Sequence, residues 1–173
     1  MSLKLLESKR ISFSDLKRIR EQFNAENQKI VFTNGCFDLI HVGHIDYLSK
    51  ARDCGDALVI GVNSDDSVRR LEKGDARPIK EEHQRVVILS ALQFVDYVVI
   101  FDEDTPLQLI QELLPDVLVK GGDYSASQKD IEAKDYIVGS TEVREQGGLV
   151  KVIPFVPGYS TSSLEKKIID ANL

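Results

Sequence analysis

Two of the protein's three histidines, His41 and His44, flank Gly43 directly after an apolar run, Ile30-Val31-Phe32-Thr33, and a short turn, Asn34-Gly35-Cys36-Phe37-Asp38. These residue types at this spacing suit phosphate. A glycine at the end of a buried strand, Gly35, lets phosphate oxygens approach main-chain N–H groups closely. Gly43 does the same at the start of the following helix, whose dipole favours an anion. Imidazoles near neutral pH can donate to phosphoryl oxygens and follow charge as it develops there. The alternative is a structural pair with one histidine capping the helix; it would be preferred for a lone histidine, but H-x-G-H directly after a strand favours function. Metal binding by the pair lacks a third ligand at a recognisable spacing.

Such a site needs a sheet to hold it. Short apolar, β-branched runs without charge on either face recur at Ile30–Thr33, Ala57–Val62, Tyr97–Phe101, Val117–Val119 and Leu149–Ile153. Between them lie helical segments near Gly43–Cys54, Ser64–Leu71, Lys80–Leu92 and Pro106–Leu114, with a last one near Ser162–Asp170. This alternation predicts an α/β protein: a Rossmann-like, doubly wound parallel sheet of about five strands with helices on both faces. Residues 1–29 read as an N-terminal helical extension and 30–173 as the main domain. Ser12 or Ser14 can cap the extension's helix, and Phe13, Leu16, Ile19 and Phe23 form an apolar face that docks on the domain or on a second subunit. A charged, solvated helix is the alternative.

The totals exclude several classes. A chain of 173 residues is long enough for one core without disulfide or metal staples. Cys36 and Cys54 make no disulfide framework or zinc pattern. A net charge of -6 argues against a nucleic-acid coat but not against a small phosphorylated ligand. No signal-peptide core or membrane span is visible, so a soluble, cytoplasmic protein is expected, without membrane partners.

Ligands of doubly wound sheets sit beyond the carboxyl ends of the strands. There the second strand is followed by Asn63 and Asp65, placed to meet a sugar or its phosphate, although Ser64 or Asp65 could simply cap the next helix. The third strand leads into Asp102-Glu103-Asp104-Thr105 and the fourth into Lys120-Gly121-Gly122-Asp123-Tyr124, a turn against which a base and ribose can lie. After the fifth come Gly158-Tyr159-Ser160-Thr161-Ser162, an anion site at a second helix N-terminus or a plain cap. Lys73, in Lys73-Gly74-Asp75-Ala76-Arg77-Pro78, is a candidate cation closing over phosphates. Arg77 and Arg85 are others; ordinary surface cations on a loop and a helix are the alternative.

The run Thr33–His44 resembles the signature of the cytidylyltransferase-like nucleotidyltransferases. Three further stretches narrow the likeness: Val62–Leu71 leading to Lys73-Gly74 and Arg77-Pro78, then Val117–Tyr124, then Phe155–Ser162. Together they resemble the D-glycero-β-D-manno-heptose 1-phosphate adenylyltransferase domain, over about residues 28–170, here without the sugar kinase to which many relatives are fused. The resemblance implies that a nucleotidyl group, AMP from ATP, passes to a heptose 1-phosphate. Pyrophosphate leaves, and the activated heptose feeds surface glycan or lipopolysaccharide synthesis.

By the same resemblance His41, His44 and Lys73 are catalytic. Thr33, Asn34, Gly35, Cys36, Phe37, Gly43, Lys120, Gly121, Gly122, Asp123, Tyr159, Ser160 and Thr161 bind nucleotide. Asp38, Asn63, Asp65, Arg77 and Arg85 bind the acceptor. Mg2+ is expected as cofactor, held mainly through the phosphates, with Asp38 as a protein ligand or as a turn-capping carboxylate. ATP or another nucleoside triphosphate, a sugar 1-phosphate and a second copy of the chain are the expected partners, with a separate sugar kinase and phosphatase in the pathway. The alternatives are cytidylyl or guanylyl transfer to another small phosphate such as glycerol 3-phosphate and, from another class, a non-catalytic nucleotide-binding module. Two departures stand out. Ser162 replaces a usual threonine, and the charged segment 125–137 is longer than the family's link; it could be a lid, a dimer contact or a solvated helix.

Overall fold

The structure is a computed structural model that describes residues 3–71 and 77–171, apart from the Ser162 side chain. Six parallel strands form one sheet: β1 (Arg10–Ile11), β2 (Ile30–Gly35), β3 (Ala57–Asn63), β4 (Tyr97–Phe101), β5 (Val117–Gly121) and β6 (Leu149–Ile153). Their spatial order is β1-β4-β3-β2-β5-β6. From β2 the chain steps outward through β3 to β4, then crosses back to place β5 on the other side of β2. Strand order therefore reverses between β2 and β5, which opens a crevice at their carboxyl ends.

All five expected strands form, and the sixth, β1, is a two-residue edge strand too short to carry a periodic signal. The helices are α1 (Leu3–Glu7), α2 (Asp15–Ala25), α3 (Val42–Arg52), α4 (Asp65–Arg70), α5 (Glu82–Ser90), α6 (Leu107–Leu113), α7 (Ser140–Glu145) and α8 (Thr161–Asp170). Two apolar layers sandwich the sheet. Leu16, Ile19 and Phe23 of α2 join Leu109, Ile110 and Leu113 of α6 and Val143 of α7 against Phe32, Val59 and Leu118. On the opposite face Tyr47, Leu48 and Ala51 of α3 and Val86 and Leu89 of α5 cover Val31, Ile60, Val98 and Val119.

The N-terminal segment is thus part of the domain. Its β1 pairs with β4 and its α2 fills the core, each buried side chain contributing roughly 1.5–3 kcal/mol. The apolar face of α2 is spent internally, so a homodimer would need another surface. Neither serine caps α2 in the expected sense: Ser14 makes no side-chain cap bond, and the Ser12 N–H and hydroxyl both donate to Asp15. Among the described residues no helix is long and apolar enough to cross a membrane.

Candidate active site

The turn between β2 and α3 is braced from behind. Phe37 takes a left-handed φ of 51°, unusual for a non-glycine residue, and its ring meets His44 edge-on at 5.6 Å. Asp38 is almost fully buried; its carboxylate accepts from the Ile79 N–H at 2.8 Å, the Lys80 N–H at 2.8 Å and Arg77 at 3.1 Å. Arg85, with no exposed surface, donates to the Cys36 carbonyl (2.7 Å), the Lys80 carbonyl (3.0 Å) and Asp65 (2.8 Å). Such a fork fits a planar guanidinium and not an ammonium. Thr33 is likewise fully buried, its hydroxyl 2.5 Å from that of Tyr47, which also donates to the Val119 carbonyl. Thr33 and Arg85, expected at the ligands, thus spend their side chains on bonds inside the protein, and Asp65, partly exposed, pairs with Arg85; these contacts suit positioning roles. Burial, which disfavours the charged phenolate, pushes the Tyr47 hydroxyl above its ordinary value despite the Thr33 bond.

On this frame the two imidazoles lie face to face at the start of α3, with ring centroids 4.1 Å apart and planes inclined at 37°. Gly43 permits this: a Cβ there would fall 2.9 Å from the His41 ring and 3.2 Å from Tyr159 Cβ. His41 occupies the N-cap position with extended backbone and makes no side-chain cap bond. The buried Nδ1 atoms of both histidines lack a hydrogen-bond partner among the described residues, and a catalytic role is one explanation for such groups. Burial lowers the His41 pKa. Burial and, secondarily, the neighbouring His41 push that of His44 down to about 4. Both shifts favour the neutral imidazole.

A cavity of about 580 Å³, within the roughly 300–1,000 Å³ of ordinary ligand pockets, opens over this turn. Its walls include Asn34, His44, Arg77, Lys120, Gly121 and Thr161. Asn34, Gly35, Cys36, Phe37, Asp38, Lys120, Gly121 and Thr161 thus border one cavity, from segments that end or follow three different strands. Gly122, at φ 93°, continues the turn, and the Phe155 ring lies on the glycine pair: a Cβ on Gly121 or Gly122 would sit 2.6 or 2.5 Å from it. Ser160 accepts from the Ser163 N–H at 3.1 Å and so caps α8. Asp123 and Tyr159 are exposed and line no described cavity. Asn63 faces a second, smaller cavity, while Ser64 caps α4. Lys73 lies outside the described residues. Arg77 pairs with Asp38 and with Glu165 of α8, tying the last helix to the turn between β2 and α3.

Sequence reasoning missed Glu165, Tyr47 and Tyr136. Nothing local marks them; each matters through a partner far along the chain. For Mg2+, both Asp38 oxygens are already engaged, and no group of three or more His, Cys, Asp or Glu among the described residues could hold an ion. These residues do not fit a protein-built metal cage.

A parallel doubly wound sheet with H-x-G-H at its switch crevice defines a Rossmann-like domain. The chain belongs to the cytidylyltransferase-like family of nucleotidyltransferases, whose model matches residues 32–167. It is 51% identical over 158 residues to the bifunctional protein HldE of Wolinella succinogenes, covering 91% of this chain and 31% of that protein. The chain thus spans about a third of the length of the curated relatives it matches. Among solved structures, the lipopolysaccharide core biosynthesis protein from Thermoplasma volcanium superposes with a TM-score of 0.56 at 29% identity, covering 75% of this chain and 97% of that one. Pantoate-beta-alanine ligase from Francisella tularensis, 15% identical with a TM-score of 0.53, covers 94% of this chain and 77% of its own and shares the fold.

Proposed function

We propose that this chain transfers AMP from ATP to a heptose 1-phosphate, releasing pyrophosphate and giving a nucleotide-activated heptose for surface glycan synthesis. The observation that carries nucleotidyl transfer is the His41–His44 couple at the N-terminus of α3, both Nδ1 atoms without a hydrogen-bond partner among the described residues and His44 lining the large cavity. The heptose is supported by the likeness to HldE and to a lipopolysaccharide core biosynthesis protein.

In this reading a phosphate oxygen of the sugar 1-phosphate attacks the α-phosphorus of ATP. The bond from that phosphorus to the α,β-bridging oxygen breaks, and pyrophosphate carries away the electron pair. A phosphate monoester, with a second pKa near 6, is already largely dianionic at pH 7, so no general base is required. Catalysis is then positioning and charge stabilisation. The α3 N–H groups and the two imidazoles meet the phosphates, and Lys120 and Arg77 line the same cavity as cations. The triphosphate oxygens would hold Mg2+, which when bound would neutralise part of the phosphate charge. A homodimer and an upstream kinase and phosphatase complete the proposal.

The test is a pyrophosphate-release screen of four nucleoside triphosphates against a panel of sugar 1-phosphates, with and without Mg2+. Release with ATP and a heptose 1-phosphate is expected. Release only with CTP or GTP would overturn the choice of base, and none with any heptose phosphate would overturn the acceptor.

A further inference from the structure

The large cavity carries a negative group that phosphate binding does not call for. Among the described residues two carboxylates line it, Asp38 and Glu165. Asp38 is spent on the turn: it is nearly buried and accepts from the Ile79 N–H, the Lys80 N–H and Arg77. Glu165, its side chain 32% exposed, reaches in from α8 and takes the other terminal nitrogen of the same guanidinium. We propose that Glu165 is an internal stand-in for a ligand phosphate. It holds Arg77 while the cavity is empty, gives it up when a phosphate arrives, and returns to it as pyrophosphate leaves. This rests on the nucleotidyl-transfer reading above and adds a residue that sets how tightly the site holds phosphates.

The planarity of the guanidinium dictates the exchange. Its N–H donors lie in one rigid fork, so its two terminal nitrogens can serve two separate anions. Nη1 donates inward at 3.1 Å to Asp38, whose side chain is 1% exposed, and that bond fixes the plane. Nη2 donates to Glu165. A phosphate oxygen that is to bind Nη2 must therefore replace the Glu165 carboxylate. The replacement is chemically even, because carboxylate and phosphate oxygens both accept charge-assisted bonds from a guanidinium. A Glu165 left in place would instead face the phosphate as a like charge, which opposes binding.

Helix α8 is built to allow this. Thr161 and Glu165, one turn apart and so on one face, are its half-buried members, and both line the cavity. The other described side chains of the helix are exposed. No buried side chain of α8 has to be uncovered for Glu165 to swing away, so the exchange breaks one ion pair and leaves both apolar layers of the core untouched.

A structural tie and an exchangeable stand-in predict opposite signs. Titration calorimetry with pyrophosphate and with ATP, at one fixed Mg2+ concentration, compares wild type with Glu165→Gln and Asp170→Asn. Asp170 is exposed near the end of the same helix, so its loss changes the charge equally and leaves the Arg77 pair in place. Glu165→Gln should bind pyrophosphate about three- to tenfold tighter, the scale of one charged pair that no longer has to be broken. Its inhibition constant for pyrophosphate during turnover should fall by the same factor, and the gain itself reports a folded site. Asp170→Asn should stay within about twofold of wild type. Equal or weaker binding by Glu165→Gln would make Glu165 a plain tie of α8, and equal tightening in Asp170→Asn would make the effect one of net charge. Either result overturns the exchange and leaves the nucleotidyl-transfer reading standing. A wild type that binds neither pyrophosphate nor ATP overturns that reading, and the exchange with it.

Discussion

Two helix N-termini converge on one cavity, and they are built in opposite ways. That of α3 is left open: His41 makes no cap bond, both Nδ1 atoms are unpaired, and Asp38 and Arg85 clamp the turn from behind. That of α8 is self-satisfied: Ser160 accepts from the Ser163 N–H, none of the helix's described side chains is buried, and Arg77–Glu165 is its tie to the turn. An open, rigid terminus can meet charge as it develops without reorganising. A capped, exposed one must first give up its own bonds. On the proposed reading the chemistry belongs to α3, and α8 contributes a wall.

The largest effect that could break this contrast is at the histidines. His41→Ala or His44→Ala should cut pyrophosphate release by about 100- to 1000-fold, the usual cost of removing a preorganised donor. The circular dichroism spectrum should be unchanged, since neither ring carries a hydrogen bond through its Nδ1 within the protein. Turnover near wild type in either variant would remove α3 from its central place.

Next comes the brace. Arg85→Met leaves the Cys36 and Lys80 carbonyls without their donor and Asp65 without its cation, inside a site where the guanidinium has no exposed surface. Breaking a buried pair from one side costs about 3–5 kcal/mol, readable as a shift in the urea midpoint. Arg85→Lys should recover little, because one ammonium cannot address three diverging acceptors. Full recovery by lysine would show that charge alone holds the turn.

The openness of α3 also has a pH signature. The His44 pKa is about 4 when folded, against an ordinary 6.5 that applies when the chain unfolds. Between those values the unfolded chain binds the extra proton, so stability rises with pH. The contribution is present above about 6.5 and is lost as pH falls toward 4, by up to about 1.4 kcal/mol per pH unit. Thermal melts at pH 7.5 and 5.0 should show a larger fall for wild type than for His44→Asn. Equal falls would mean that His44 is already protonated in the folded protein.

How far the sequence foretold all this differs between the same two regions. The strand core of β2 to β6 and the H-x-G-H turn were legible because short β-branched runs and a spaced histidine pair are local signals. Convergence of Asn34 with Lys120 was legible too, through the rule that ligands gather beyond the strand ends. What stayed hidden depends on partners far apart in the chain. Nothing near Arg85 reveals that Asp65 and the Cys36 carbonyl await it, so a residue that reads as a phosphate cation is a buried strut. Thr33 reads as a ligand contact until Tyr47, one helix later, takes its hydroxyl. Strand β1, two residues long, has no period to detect, and the cavity beyond Lys120 exists only when Asp104 and Tyr136 fold to the same place.

The smallest expected effect tests the other half of the contrast. Ser160→Ala removes the α8 cap and should cost about 1 kcal/mol, within the usual range for a lost N-cap. Because α8 is exposed and buries no described side chain, that loss should appear as local fraying, faster amide exchange in the first turn of the helix, and leave the global melting temperature almost unmoved. Turnover should fall by only a few fold, since Thr161, the neighbouring cavity residue, remains. If Ser160→Ala instead costs as much as His41→Ala, the bond from the Ser163 N–H to Ser160 must open on binding, and the hydroxyl must meet phosphate directly. The two helix ends would then be equal partners, one pre-opened and the other opened by its ligand.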